Sequence, residues 1–392
     1  MRILIVNHWF TGHNLHYCSL LCRNAVRLGH TPILATPFGT TSSVEFLKFA
    51  ECGHFDGTEL HEEGVVAANT GVIDTATRSI HMLRTAHDQV RRLRCEWVWM
   101  HNADQITDAA ALPFAPQFMV PVEALHLRGG YAHPLKGIVK RARHKFSRKA
   151  TLQSPWLTSW HLDPIAYNDL QLECAKIQLM PEPVEPPLPV SREDAKALLN
   201  LPASSRILMI LGAIDSRKGV INLMHAYLKT RPRDMTLVLM GLLYPDVKET
   251  VLQLAKEIGP GSCVVRDQML SQEQFQLAFA ACDWQALTYQ SHHGSSGILV
   301  RAAAHQRPVL AASDGWIGQA TMQYRLGITC NASSVQSIAM GINQLGALRQ
   351  YDSSEAQRFV NFNTEANFNA HWANKITQKL GMPEDPVHLK WN

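Results

Sequence analysis

The 392-residue sequence lacks most of the short signatures that would assign a chemistry at once. It has no Cys-x-x-Cys pair, so neither a zinc ribbon nor a thioredoxin-like redox motif is available. No Asp-x-Asp triplet offers carboxylates to a divalent cation, no His-Glu-x-x-His pairs histidines on a helix face, and no Gly-x-Gly-x-x-Gly marks a dinucleotide turn. Nowhere do 18 apolar residues run together, and Ile3–Val6 is too short for the core of a signal peptide. Charge of one sign is scarce as well: 37 Lys+Arg against 33 Asp+Glu leave +4, too little for a dedicated nucleic-acid binder. The eight cysteines (18, 22, 52, 95, 174, 263, 282 and 330) are scattered and read as reduced, mostly buried thiols. Cys18 and Cys22, one turn apart on an expected helix, fit a core better than a metal site. The expectation is a soluble protein of a reducing, cytoplasmic compartment.

What is present suits a large, well-buried globular chain: 46% hydrophobic and 18% charged residues over a length that favours two domains. Strand-like runs at Arg2–Val6, Thr31–Thr36, Trp97–Met100, Phe118–Val122, Arg148–Gln153 and Lys176–Met180 alternate with helical patterns. A second series follows at Arg206–Gly212, Met235–Met240, Cys263–Arg266, Trp284–Thr288 and Pro308–Ala312. Helices are expected between them, at 219–229 and 271–281 among others. Between the series, residues 181–189 hold five prolines, which continue neither helix nor central strand and read as a linker. The expected architecture is α/β, two Rossmann-like doubly wound domains facing across a cleft: residues 1–183, residues 184–365, and a helical segment 366–392 packing back on the first.

Two stretches carry chemistry. In Trp284 to Ala311 a strand leads through the polar loop Gln290-Ser-His-His-Gly-Ser-Ser-Gly297 into a helix, whose start near Ser295 or Ser296 would be capped by a hydroxyl. Free N–H groups and the helix dipole there suit an anion, although a plain capped helix with small packing residues accounts for the same pattern. In Leu208 to Gly219, a strand turns through Arg217-Lys218-Gly219 into the next helix, setting a cation at the sheet's carboxyl edge. Lys218 opposite Ser295–Gly297 would clamp a departing diphosphate. Gly12, in the turn after the first strand, permits close backbone approach.

Taken together, Gly212 to Arg217-Lys218-Gly219, the strand Leu237-Val-Leu-Met-Gly241, Leu270-Ser-Gln-Glu-Gln-Phe275 with Ala280-Ala-Cys-Asp283, and the Gly-Ser-Ser-Gly helix before Arg307-Pro-Val-Leu-Ala resemble the retaining glycosyltransferases of GT-B fold, family four. Met1-Arg-Ile-Leu-Ile-Val, Leu28-Gly-His30 and Trp97–His101 extend the likeness over nearly the whole chain. The resemblance implies a nucleotide-sugar-dependent enzyme with an acceptor-binding first half and a donor-binding second half. It implies that Lys218, Gly294, Ser295, Ser296 and Gly297 contact the donor diphosphate, that Gly12 belongs to the first loop, and that His126 lies beside the transferred sugar. Two departures stand out. The family's paired glutamates fall here on His293 and Arg301, the second of which usually holds the ribose, and its usual arginine after Gly212 is Ala213. Arg217, His292, His293 or Arg301 are the residues available to compensate, with Arg266 and Asp267 near the expected base.

The reaction so implied retains anomeric configuration and needs no metal or other cofactor beyond the nucleotide diphosphate sugar. A non-catalytic GT-B scaffold with a degenerate donor site is the alternative. A sugar-nucleotide epimerase would need a carboxylate pair, for which only Glu123 and Asp104 offer themselves. Trp97, Trp99 and the segment Trp156–Trp160 would either stack on sugars or fill the core. Finally, Lys136–Lys149 holds seven Lys or Arg, no acid, and interleaved Ile138, Val139 and Phe146. Such a stretch is either a solvated helix face or a contact to an anionic membrane surface presenting a glycan or lipid-linked acceptor, peripheral at the inner face, as in polysaccharide biosynthesis. Nucleic acid is not an expected partner.

Overall fold

The computed structural model describes residues 1–8, 13–63, 72–110, 112, 114–128, 138–292, 294–348, 351 and 353–380. The chain divides into two units, residues 1–183 with the C-terminal helix Glu365–Leu380, and residues 184–364. In the first, β1 (Arg2–Val6), β2 (Thr31–Pro37), β3 (Glu59–Glu63), β4 (Trp97–Met100), β5 (Val122–His126), β6 (Leu157–His161) and β7 (Ile177–Leu179) form one parallel sheet. Its order is β3-β2-β1-β4-β5-β6-β7. The second contains β8 (Arg206–Leu211), β9 (Met235–Gly241), β10 (Cys263–Asp267), β11 (Trp284–Leu287), β12 (Val309–Ala312) and β13 (Gly327–Cys330), in the order β10-β9-β8-β11-β12-β13. Both orders reverse once, between β1 and β4 and between β8 and β11. Such switch points leave a crevice at the strands' carboxyl ends, where ligands of doubly wound sheets bind.

The cores follow from the sequence pattern. Strands such as Leu208–Leu211 are apolar throughout because helices cover both faces of a parallel sheet. The helix His13–Arg27 turns Leu15, Leu20, Leu21, Cys22 and Ala25 inward, and Phe368, Trp372 and Ile376 of Glu365–Leu380, each one turn apart, join the same cluster. Burying Phe368 and Ile376 contributes about 1.5–3 kcal/mol each. Around the proline-rich segment, Glu182 accepts the Tyr17 hydroxyl at 2.6 Å within the first unit, and Val184 bridges to Thr364 within the second.

Two of the expected strands are corrected. Residues 148–153 are not a strand but the end of the helix Ile138–Gln153, since Arg, Lys, Ala, Leu and Gln are strong helix formers; the strand follows Pro155, at β6. The strand placed at Phe118–Val122 begins only at Val122, because Pro121 gives no N–H to a central ladder. Trp97, Trp99 and Trp160 are buried and Trp156 packs on the core, so the tryptophans fill the interior rather than face a sugar. The C-terminal helix starts at Glu365 and belongs with the first unit. No helix among the described residues is long and apolar enough to cross a membrane.

Candidate functional site

In the second unit the chain leaves β8 through Gly212, whose φ of +91° suits glycine, beside Gly241 at the end of β9. A Cβ on Gly241 would lie 1.9 Å from the Gly212 carbonyl oxygen, so the two strand ends touch backbone to backbone. Ile214 continues the pairing to Leu243, and Asp246 accepts the Ser216 N–H at 3.0 Å. The short 3-10 turn Ser216–Lys218 then ends at Gly219, φ +66°, where a Cβ would strike the Thr288 carbonyl oxygen at 2.0 Å. The Thr288 hydroxyl donates to the Lys218 carbonyl, and the Gln290 N–H to the Arg217 carbonyl at 2.7 Å. Close packing and hydrogen bonds thus fasten the β8 turn to the end of β11.

That fastening places two cations on one ring. Lys218 is only 5% exposed; its Nζ donates to the Leu211 carbonyl and sits 5.3 Å from the centre of Tyr289. The Arg217 guanidinium lies 5.5 Å from the same ring, bonds His292 Nδ1 at 3.1 Å, and has Asp215 at 3.6 Å from its Nε. An aromatic face stabilises cations lifted partly out of water. His292 Nε2 reaches the Ser295 carbonyl at 3.1 Å, which ties the polar loop to the same cluster. Gly294, buried with φ +110°, and Ser295 lead into the helix Gly297–Ala304. Ser296 is its N-cap, but no side-chain bond caps it, contrary to the expected hydroxyl cap. The helix starts with its N–H groups and positive dipole end beyond β11.

Of the other expected donor residues, Arg301 is one turn into that helix and is held by Glu185 at 2.7 Å, with its guanidinium 5.8 Å from the Phe275 ring. Asp267 ends the edge strand β10, two strands from β8. It accepts the Leu243 N–H at 2.8 Å and pairs with Lys248, which holds its carboxyl below the usual range. Its acceptors are thus engaged in joining β10, β9 and the helix Pro245–Ile258. Gly12 and His293 lie outside the described residues. So does Lys136, whereas the rest of its basic stretch lies on the helix Ile138–Gln153; there Arg148 is engaged by Asp169 and Glu173.

The first unit puts different groups at its carboxyl edge. Asn7 follows β1, His101 follows β4, and His126 and His161, in register, end β5 and β6; all four are buried. The imidazoles of His126 and His161 stack at 4.8 Å and 8°, and His126 Nδ1 is 3.7 Å from Asp104 Oδ1. Asp104 is fixed by the N–H groups of Leu127 and Arg128. Burial, with His126 beside it, pushes His161 well below the ordinary histidine range, so it is neutral. His161 and Tyr289 escaped sequence reasoning. Tyr289 carried one signal, an aromatic directly after a strand at a presumed ligand edge.

No known family's sequence profile matches the chain, and no curated protein matches it in sequence. Solved structures do match. Sucrose-phosphate synthase from Thermosynechococcus elongatus superposes with a TM-score of 0.74 at 13% identity, over 97% of this chain and 99% of that one. The fold is GT-B. WaaG, a glycosyltransferase involved in lipopolysaccharide biosynthesis, gives 0.67 at 16% identity over 96% of this chain and 100% of that one. HepE from Anabaena, solved with UDP and glucose, gives 0.68 at 14% identity over the same shares. At such identities, likeness within GT-B establishes the fold and leaves the reaction to the residues.

Proposed function

We propose that the chain is a glycosyltransferase that takes a sugar from a nucleoside-diphosphate donor held by the second unit, with retention at the anomeric carbon and without a metal. The observation that carries this reading is the pair of cations, Lys218 and Arg217, on Tyr289 beside the start of the helix Gly297–Ala304, at the switch point of the donor sheet. As the glycosidic bond breaks, negative charge builds on the diphosphate. Preorganised Lys218, Arg217 and the N–H groups at Ser296 and Gly297 stabilise it most where it is greatest. In metal-dependent chemistry a divalent cation supplies that neutralisation; here the fixed cations do. HepE's complex with UDP and glucose supports a uridine diphosphate donor as the first probe. His126 would hydrogen-bond the sugar, while Gly294 and Ser295 shape the phosphate loop. The acceptor is a glycan, a lipid-linked sugar or a small molecule.

Calorimetry and thermal shift with UDP, GDP, ADP and their sugars on wild type and Lys218→Ala test the reading, followed by the anomeric signal of the product in proton NMR. Binding by one nucleotide that the substitution abolishes, with a retained anomer, is the expected result. A folded wild type that binds none of them overturns it.

One observation favours a non-catalytic scaffold instead: where the resemblance implies a ribose-holding glutamate, Arg301 stands in an ion pair with Glu185, and Ala213 replaces an arginine. Nucleotide binding without turnover would decide for it.

The acceptor reading has its own test. Ile138, Arg141, Ala142, Lys145, Phe146 and Lys149 are exposed at helical spacing along Ile138–Gln153. Such a face suits a peripheral, cytoplasmic-side contact with anionic lipid. Vesicles containing phosphatidylglycerol should co-sediment the protein, pure phosphatidylcholine vesicles should not, and Arg141→Glu with Lys145→Glu should abolish the difference.

A further inference from the structure

We infer that His292 is a positioning residue for the donor site: a neutral imidazole, protonated on Nε2, that orients Arg217 toward the diphosphate. The inference rests on the diphosphate reading above and adds a residue acting through Arg217. Its basis is the chemistry of the two partners. A guanidinium has only donors, so the 3.1 Å contact between Arg217 Nη1 and His292 Nδ1 requires Nδ1 to accept. A backbone carbonyl only accepts, so the 3.1 Å contact between Nε2 and the Ser295 carbonyl requires Nε2 to donate. One acceptor and one donor together specify a single tautomer of the uncharged ring, and an imidazolium satisfies only one of the two contacts.

The loop is built to hold this arrangement. Ser291 adopts φ +50°, a left-handed turn uncommon for a residue with a Cβ, which brings the next residue back toward Ser295. The His292 ring meets Tyr289 edge-on at 5.1 Å and 82°, while Arg217 and Lys218 lie over the face of Tyr289. Among the described residues, the charged and titratable neighbours of His292 include Arg217 with Asp215 behind it, Lys218 and Tyr289. On the side of the helix Gly315–Gln323 the His292 carbonyl abuts Gly315, which follows Asp314. Arg217 is thus held at Nη1 by a hydrogen bond to His292, with the Asp215 carboxylate 3.6 Å from its Nε, and the two together bias the orientation of its planar fork. Protonating His292 sets a second positive charge against the guanidinium and removes the acceptor that held it.

Two measurements test this. Nitrogen-15 spectra of histidine-labelled protein, with the His292 signals assigned by their loss in His292→Gln, should show Nδ1 bare and Nε2 protonated at neutral pH. A protonated Nδ1 overturns the inference without reference to any ligand. Calorimetry with inorganic pyrophosphate and UDP then reads the function. His292→Ala should weaken both about 10-fold, the scale of a hydrogen bond to a charged group, whereas His292→Gln, whose amide also accepts and donates, should stay within about 2-fold of wild type. Between pH 7.5 and 5.5 wild type should weaken relative to His292→Gln, a ratio that cancels the titration of the phosphates. A wild type that tightens instead makes the imidazolium itself a ligand and sinks the positioning role. Unchanged affinity in His292→Ala, beside loss in Lys218→Ala, overturns the inference and leaves the diphosphate reading standing. No binding to wild type overturns both.

Discussion

The two units share one six-strand order, which the first extends by β7, and differ in what they place at its reversal. Beyond β8 and β11 stand Arg217 and Lys218, two basic side chains on the Tyr289 ring. At the ends of β1, β4, β5 and β6 stand Asn7, His101, His126 and His161, an amide and three imidazoles that can hydrogen-bond, with Asp104 beside His126. Topology fixes where a ligand goes and leaves open which one. Cations with a helix N-terminus suit a diphosphate; buried imidazoles and amides suit neutral hydroxyls. Single glycines also differ in their surroundings: Gly219 and Gly241 bring strand ends of the second unit against neighbouring carbonyls, whereas Gly29 of the first has nothing within 4 Å of where its Cβ would be.

The sharpest way to break that contrast is a pair of alanines. Gly29 and Gly219 have similar φ, +75° and +66°, so both substitutions carry a left-handed strain of about 1–2 kcal/mol. Only Gly219→Ala adds a collision with the Thr288 carbonyl at 2.0 Å, and we expect it to cost about 4 kcal/mol or more. Urea melts should show the second unit lost in Gly219→Ala and the first weakened by only about 1–2 kcal/mol in Gly29→Ala. Equal losses would mean that the β8 turn yields and does not fix Lys218.

Next in size is the chemistry itself. Lys218→Ala should lower transfer on the order of 100-fold or more and weaken nucleotide binding. His126→Ala should lower transfer and leave nucleotide affinity within about 2-fold, because it belongs to the other unit. Loss of UDP affinity in His126→Ala would erase the division of labour.

Much of this was legible in the sequence where one physical signal dominated. Apolar runs such as Ile207–Leu211 announced buried parallel strands, and five prolines marked the boundary between units. A cation pair just after a strand pointed to Lys218 and Arg217. The edge strand Glu59–Glu63 was not legible, because Glu-Leu-His-Glu-Glu has the composition of a surface loop. Placing a strand at 148–153, on the helix that precedes β6, also hid His161, which ends β6 in register with His126. The pairing of Arg301 with Glu185 joins positions 116 apart, and nothing local marks either residue for the other. Tertiary contact, not local pattern, made those features.

A third prediction concerns acid. Burial pushes His305 of the second unit down to about 4. The unfolded chain takes up this proton near pH 6.5 and the folded one only near 4, so stability is full above 6.5 and falls as pH drops toward 4. The loss approaches roughly 3 kcal/mol at about 1.4 kcal/mol per unit. His161 acts with the same sign in the first unit, its pKa being depressed too. His305→Gln, which can still bond Gln276, should flatten the pH dependence of the second unit's unfolding and leave that of the first unchanged. A parallel change in both would show that the units unfold as one.

The smallest effect separates the helix starts. Ser43 accepts the Phe46 N–H and caps the helix Val44–Glu51 of the first unit, so Ser43→Ala should cost about 1 kcal/mol. Ser296 makes no such bond, and Ser296→Ala should change stability by no more than a few tenths of a kcal/mol. If the anion site consists of backbone N–H groups, the same substitution leaves UDP affinity nearly intact, since alanine keeps every amide. A large loss of affinity with unchanged stability would instead assign the work to the hydroxyl, and the donor site would be a side-chain site like the edge of the first unit.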